Sequence, residues 1–153
     1  MKWQHPPTIK IYEALGAVAD GRIEIDGNSA KVYSSSGNKF YTVTYDPTSQ
    51  SIMANDNASF YRGYLGYPSI AFLMVNGELP YSPSVGEKLK DIAWKDLNQK
   101  FKNDFDKTLS HILESKSEED RREIRYEVAG VEQLLLLKPY NVLGEKVKPP
   151  EGY

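Results

Sequence analysis

The sequence predicts an α+β fold: a four-stranded antiparallel β-meander covered by helices, with one helix ahead of it and two long helices behind it. Three observations lead there. Apolar residues recur at helical spacing over 9–19, four short alternating stretches fill 22–54, and from Val85 onward apolar residues again return every three or four positions.

The first helix spans Ile9 to Ala19. Thr8 offers a capping hydroxyl, Ile11, Tyr12, Leu15 and Val18 form the apolar stripe, and Asp20-Gly21 ends it. The strands follow as Arg22 to Asp26, Ser29 to Tyr33, Lys39 to Tyr45 and Gln50 to Ala54. Between them stand Gly27-Asn28, the cluster Ser34 to Asn38, and Asp46-Pro47-Thr48-Ser49, all built from turn-forming residues. Alternation sends Ile23, Ile25, Ala30, Val32, Tyr41, Val43 and Ile52 to one face and Arg22, Glu24, Lys31 and Thr42 to the other. The apolar face needs a helical cover.

Pro68 opens an apolar stretch through Val75 that stops at Asn76-Gly77, the signature of a short buried helix. Beyond Pro80-Tyr81-Ser82-Pro83, the series Val85, Leu89, Ile92, Leu97, Phe101, Phe105, Leu109, Ile112 reads as one long amphipathic helix, kinked near Trp94. Ser117 and Asp120 have the spacing of a capping box, so the last helix starts there and runs to Leu137, where Pro139 bars continuation. Residues 1–137 are expected to form a single domain, with 138–153 an extended Pro-rich tail. The last helix is apolar nearly all round at Leu134 to Leu137, which asks for cover from that tail, Tyr153 included, or from a second copy of the chain; a homodimer through this helix is the expectation.

Composition narrows the function classes. Net charge is −2, so no global field favours nucleic acid or an acidic partner. The longest apolar run, Ala129 to Leu137, is interrupted by Glu132 and Gln133 and falls far short of the ~20 residues of a membrane span. Met1 to Pro7 lacks the apolar core of a secretory signal, and the expected location is the cytoplasm. Zero cysteines remove disulfides, thiol catalysis and the usual zinc ligands together. His5 in a Pro-flanked segment and His111 at a helix boundary are poorly placed as bases, and the helix carboxylates sit among lysines. Asn55-Asp56-Asn57 lacks the glycine and glutamate of a calcium loop, and Arg62-Gly63-Tyr64-Leu65-Gly66-Tyr67 lacks the Lys-Ser/Thr of a phosphate loop. No catalytic residue, metal or cofactor is expected.

Aromatic residues carry more weight. Phe60, Tyr61, Tyr64, Tyr67 and Tyr81 cluster around Arg62 and form the candidate binding surface. Rings of this kind anchor protein interfaces, and with cations beside them they stack the bases of single-stranded nucleic acid.

From Ser29 to Met74 the order of features resembles a SWIM-type zinc finger: the strand 39–45, a turn, a short strand, then a tight loop into Gly66-Tyr67-Pro68-Ser69-Ile70-Ala71-Phe72-Leu73. That family's Cys-x-Cys and Cys-x-His pairs would fall near Ile52 and Ala54 and on Ser69 and Ala71. None of these is a ligand, so the resemblance implies a zinc-free relative with apolar packing in place of the metal. The whole chain also resembles uncharacterised archaeal proteins of the kind solved by structural genomics.

The leading reading is a non-enzymatic interaction module of unknown partner that presents the Tyr-rich loop. Two alternatives stand beside it, a nucleic-acid binder using the same rings and a small-molecule enzyme with a Tyr-lined pocket. A basic patch around Arg62 favours the first alternative; a deep pocket with converging polar groups favours the second.

Overall fold

A computed structural model describes residues 1–151. Their fold is mixed α+β, with a five-stranded sheet and six α-helices among the described residues. Helix α1 (Ile9–Ala19) leads into β1 (Ile23–Asp26), β2 (Ser29–Tyr33), β3 (Phe40–Asp46) and β4 (Ser51–Ala54). These four strands pair antiparallel in sequence order, with Val32 opposite Tyr41 and Val43 opposite Ala54. Ala30, Val32, Tyr41, Val43 and Tyr45 are buried while their neighbours along the strands face outward, as alternation requires. Ile25, assigned to the inner face, is exposed on the edge strand β1.

The meander has a fifth member. β5 (Asn141–Val142) lies parallel to β4, pairing Ser51 with Asn141 and Ile52 with Val142. The expected tail therefore includes a sheet edge: Asn141 N–H donates to Gln50 O at 2.9 Å and Leu143 N–H to Ile52 O at 3.1 Å. Tyr140 is buried against Tyr45, with ring centroids 6.3 Å apart. A two-residue strand is too short to show periodicity, and its pairing partner lies some ninety positions upstream.

Helix α2 (Tyr67–Val75) is the centre of the core. It touches β1 to β4 on one side and α1 on the other, and Ile70, Ala71, Phe72 and Leu73 have no exposed surface. A helix apolar all round is stable only when enclosed, and the layers sheet, α2, α1 enclose it. Helices α3 (Pro83–Lys88) and α6 (Glu118–Leu137) close the far side of α1.

Two helical expectations change. The single long helix from Val85 to Ile112 is instead α3, α4 (Trp94–Lys100) and α5 (Phe105–Glu114), leaving α6 as the one long C-terminal helix. The breaks fall where Asp91, Lys102 and Asn103 adopt left-handed backbone, φ 61°, 53° and 61°. Asp91 N–H is held by Asp20 Oδ1 at 2.8 Å, and Asp104 caps α5 by accepting from Lys107 N–H. Asn and Asp enter this region more readily than other non-glycine residues, so the breaks leave the apolar spacing intact and invisible. Thr8, for its part, does not cap α1; its hydroxyl donates to Glu132 Oε2 on α6 at 2.6 Å. Ser117 does cap α6, accepting from Asp120 N–H at 3.0 Å.

The buried stripe of α6 is Ile124, Val128, Val131 and Leu135, and Leu134, Leu136 and Leu137 stay exposed. Tyr153, counted above among the cover for them, lies outside the described residues. No helix among the described residues is long and apolar enough to cross a membrane.

Candidate functional site

Between β4 and α2 the chain makes one wide helical turn, Ala58–Arg62, closed by Gly63 N–H donating to Ala58 O five residues back at 3.1 Å. Such i→i+5 turns are uncommon and concentrate at functional positions. Asp56 holds it from inside. Its Oδ1 accepts from Ser59 Oγ at 2.6 Å and its Oδ2 from Ser59 N–H at 3.3 Å, and burial pushes the carboxyl above its ordinary pKa in spite of both bonds. Gly63, φ 75°, reverses the chain, and its carbonyl accepts from Gln4 N–H at 3.0 Å. The turn is thereby fixed on both sides.

This turn is one wall of a cavity of about 730 Å³. α1 contributes Lys10 and Glu13, the α1–β1 connection gives Arg22, the β2–β3 connection gives Ser34, Ser35 and Lys39, β3 gives Tyr41, and α4 gives Trp94, Lys95, Asn98 and Gln99. Asn57, Tyr61, Arg62, Gln99 and Asn103 are exposed and form the rim. Glu13, Ser34, Tyr41, Asp56, Trp94 and Asn98 are buried and form the floor.

Five cationic side chains line the cavity, Lys10, Arg22, Lys39, Arg62 and Lys95, against two carboxyls, Glu13 and Asp56. A chain of net charge −2 has thus gathered a positive concavity. Burial works against the charge of Lys10, but Glu13 at 3.0 Å, aided by Tyr64 and Asp56, more than offsets it and holds the ammonium above its usual pKa. At the other end burial, then the nearby charge of Lys95, pulls Lys39 below its usual value. Lys95 N–H donates to Ser35 Oγ at 3.2 Å, which ties α4 to the β2–β3 connection and brings the two lysines to one corner.

Arg22 reaches this site because α1 ends in a tight reversal at Gly21, φ 70°, with Arg22 N–H bonded back to Ala17 O at 3.1 Å. Its Nε donates to Asp20 Oδ2 at 3.1 Å, its Nη1 to Tyr33 O at 2.7 Å, and its guanidinium lies 5.7 Å from the Tyr67 ring centre. Nη2 is buried with no partner in the protein, and so is Oδ1 of Asn98 on α4, which also lines the cavity. A buried donor and a buried acceptor that both lack a partner cost free energy unless solvent or a ligand satisfies them.

Of the candidate residues, Tyr61, Arg62, Tyr64 and Tyr67 come together around this cavity. Tyr61 is 63% exposed, with Phe60 edge-on to it at 4.9 Å, so Phe60 supports the site without lining it. Tyr67 is edge-on to Tyr41 at 6.3 Å, its hydroxyl donates to Tyr33 O at 3.4 Å, and burial raises its pKa. Tyr81 stands apart. Its ring lies over Gly86 of α3, where a Cβ would come within 2.7 Å of Cζ.

Sequence reasoning missed Lys10, Arg22, Lys39, Lys95 and Asn98, and placed Arg22 on the outer face of the sheet. They belong to four separate segments, so no local motif announces them. The one legible hint was the helix stop at Asp20-Gly21, which forces Arg22 to turn back over α1. Neither His5, 3.7 Å from Glu132, nor His111, tilted against Phe101 with ring centres 5.6 Å apart, lines the cavity. Ile52, Ala54, Ser69 and Ala71, the zinc-finger positions, are buried in the core. Among the described residues no group of three His, Cys, Asp or Glu side chains is disposed to hold a metal ion.

One family model, described as uncharacterised conserved protein UCP014422, matches residues 3–139, a stretch that takes in every residue lining the cavity. Comparison with curated proteins and with solved structures gives no match.

Proposed function

The chain belongs to the family of uncharacterised conserved protein UCP014422, and from that premise we propose that it is a non-enzymatic binding module whose cavity takes a small anionic ligand. The observation that carries this reading is the excess of cationic side chains, five against two carboxyls and still four against two with Arg22 set against Asp20, around a concavity of about 730 Å³ in a chain of net negative charge. Its size falls within the roughly 300–1,000 Å³ usual for small-molecule sites. Low-dielectric walls strengthen the attraction for an anion.

Binding is favoured over catalysis by what the polar groups already do. Both oxygens of Asp56 accept from Ser59, the hydroxyl of Tyr67 is committed to Tyr33 O, and the imidazoles lie elsewhere. Lys10 and Glu13, 3.0 Å apart, are engaged with each other as an ion pair.

Thermal melts test the proposal. Millimolar pyrophosphate is expected to raise the midpoint above that in sodium chloride of equal ionic strength. The double variant Lys39→Gln, Lys95→Gln should lose most of that difference, since a charge-assisted hydrogen bond contributes about 1.5–3 kcal/mol. Coincident midpoints in the two salts for the native chain would refute it.

We further propose self-association through α6. Leu134, Leu136 and Leu137 remain exposed, and the tail that was the other candidate cover pairs with β4 at Asn141–Val142. The zinc-free SWIM-type relationship rests on the order β3, β4, α2 and on buried apolar side chains at three of its four ligand positions, Ile52, Ala54 and Ala71.

A further inference from the structure

Resting on the anion-binding reading, we infer that the ligand is a free nucleoside monophosphate, its phosphate at the Lys39 and Lys95 corner and its base against Tyr61 and Tyr64.

An anion alone leaves the cavity unsatisfied. Asn98 Oδ1 is a buried acceptor without a partner, and an ionised phosphate or carboxylate oxygen placed there would set acceptor against acceptor. The ligand must bring an N–H or O–H to that wall. Arg22 presents the complementary need. Its charge is already met by Asp20 and its Nη1 by Tyr33 O, so the unpartnered Nη2 is a donor suited to a neutral acceptor such as a ring nitrogen or carbonyl. A nucleobase carries N–H donors and ring-nitrogen or carbonyl acceptors around one plane, and so offers a group of each kind.

The rings supply the second argument. Tyr41 and Tyr67 are engaged with each other, and Phe105 lies under Lys10 at 5.1 Å. Tyr61 is different. It is mostly exposed at the rim, with Phe60 perpendicular to it at 4.9 Å, and so offers ring surface for stacking at the cavity mouth. Dicarboxylates and sugar phosphates alike lack an aromatic plane to stack on Tyr61. A nucleoside phosphate has the charge, the polar edge and the plane together.

Calorimetric titration of the purified chain tests this with adenosine, guanosine, cytidine and uridine monophosphates, ribose 5-phosphate and inorganic phosphate. At least one nucleotide should bind about ten-fold or more tighter than ribose 5-phosphate. Tyr61→Ala should weaken that nucleotide by about ten-fold, as loss of one stacking ring does, and leave ribose 5-phosphate within about two-fold. If ribose 5-phosphate binds as tightly as every nucleotide and Lys39→Gln weakens them all alike, the ring assignment falls and the anion site stands. If none of the six binds, both fall. A 5′-phosphorylated RNA hexamer binding more than about ten-fold tighter than any monophosphate would move the ligand from a free nucleotide to a strand end and overturn the inference.

Discussion

Gly66 and Asp56 meet across the space where a side chain on residue 66 would be: a Cβ there would collide with Asp56 Oδ2 and lie 2.7 Å from its Cγ. That contact lets the buried carboxyl reach Ser59 and shape the wide turn that carries Tyr61 and Arg62.

Gly66→Ala is therefore expected to cost about 2 kcal/mol or more, because the carboxyl must leave Ser59 or the chain must shift. Gly130→Ala is the matched control. It lies within α6 with nothing within 4 Å of the new methyl, and a helical Gly→Ala change of that kind stabilises by about 0.5–1 kcal/mol. Urea melts of both variants read the two signs. Equal, small effects would show that Asp56 is not held as described.

Asp56→Asn should gain on the native chain as pH rises. Burial raises the folded carboxyl above its ordinary value of 3.8, so the folded state binds more protons than the unfolded one between those two values. Its contribution to stability is greatest in acid and is lost as pH climbs through the folded pKa. Asparagine keeps an acceptor for Ser59 and never ionises, and Lys10 keeps its charge throughout this range. Denaturant melts at pH 4, 5.5 and 7 should show the variant's stability, relative to the native chain, increasing in that order. A decrease would reverse the assignment.

Leu73→Ala tests α2 as the centre of the core. Leu73 has no exposed surface, and removing its branched end should cost ~2–5 kcal/mol by denaturant melt. A loss below about 0.5 kcal/mol would place the helix at the surface.

Sedimentation equilibrium at micromolar concentration should give twice the 17.3 kDa chain mass. Leu136→Glu with Leu137→Glu, both on exposed positions, should return a monomer of unchanged melting midpoint. A native chain that sediments as a monomer rules the dimer out.

Much of this fold was legible because its elements obey local rules. α1 and β2 fall on their expected residues, and α6 begins one residue after Ser117 and ends at Leu137. Apolar spacing cannot report the breaks at Asp91 and Lys102-Asn103, which depend on single backbone dihedrals. The site was half legible. Tyr61, Arg62, Tyr64 and Tyr67 are neighbours in sequence and announce themselves, whereas Lys10, Arg22, Lys39 and Lys95 meet only after α1, the sheet and α4 have packed. A charged residue on one face of an element has the same appearance in sequence whether that face meets water or a cavity.

Residues 1–3 are tied to residues 140–142 at the last strand. Trp3 N–H donates to Tyr140 O at 3.0 Å, Val142 N–H to Met1 O at 2.8 Å, and the Trp3 indole to Ile52 O at 2.8 Å. On a ribosome, residues 1–3 must wait until residues 140–142 have been made before they find these partners. Until residue 143 has emerged, β4 has an unpaired edge, the kind of surface on which nascent chains pair with one another. Closing this sheet thus waits on residues 141–143, and whatever shelters that edge in the interval bears on how much of the chain reaches its native form.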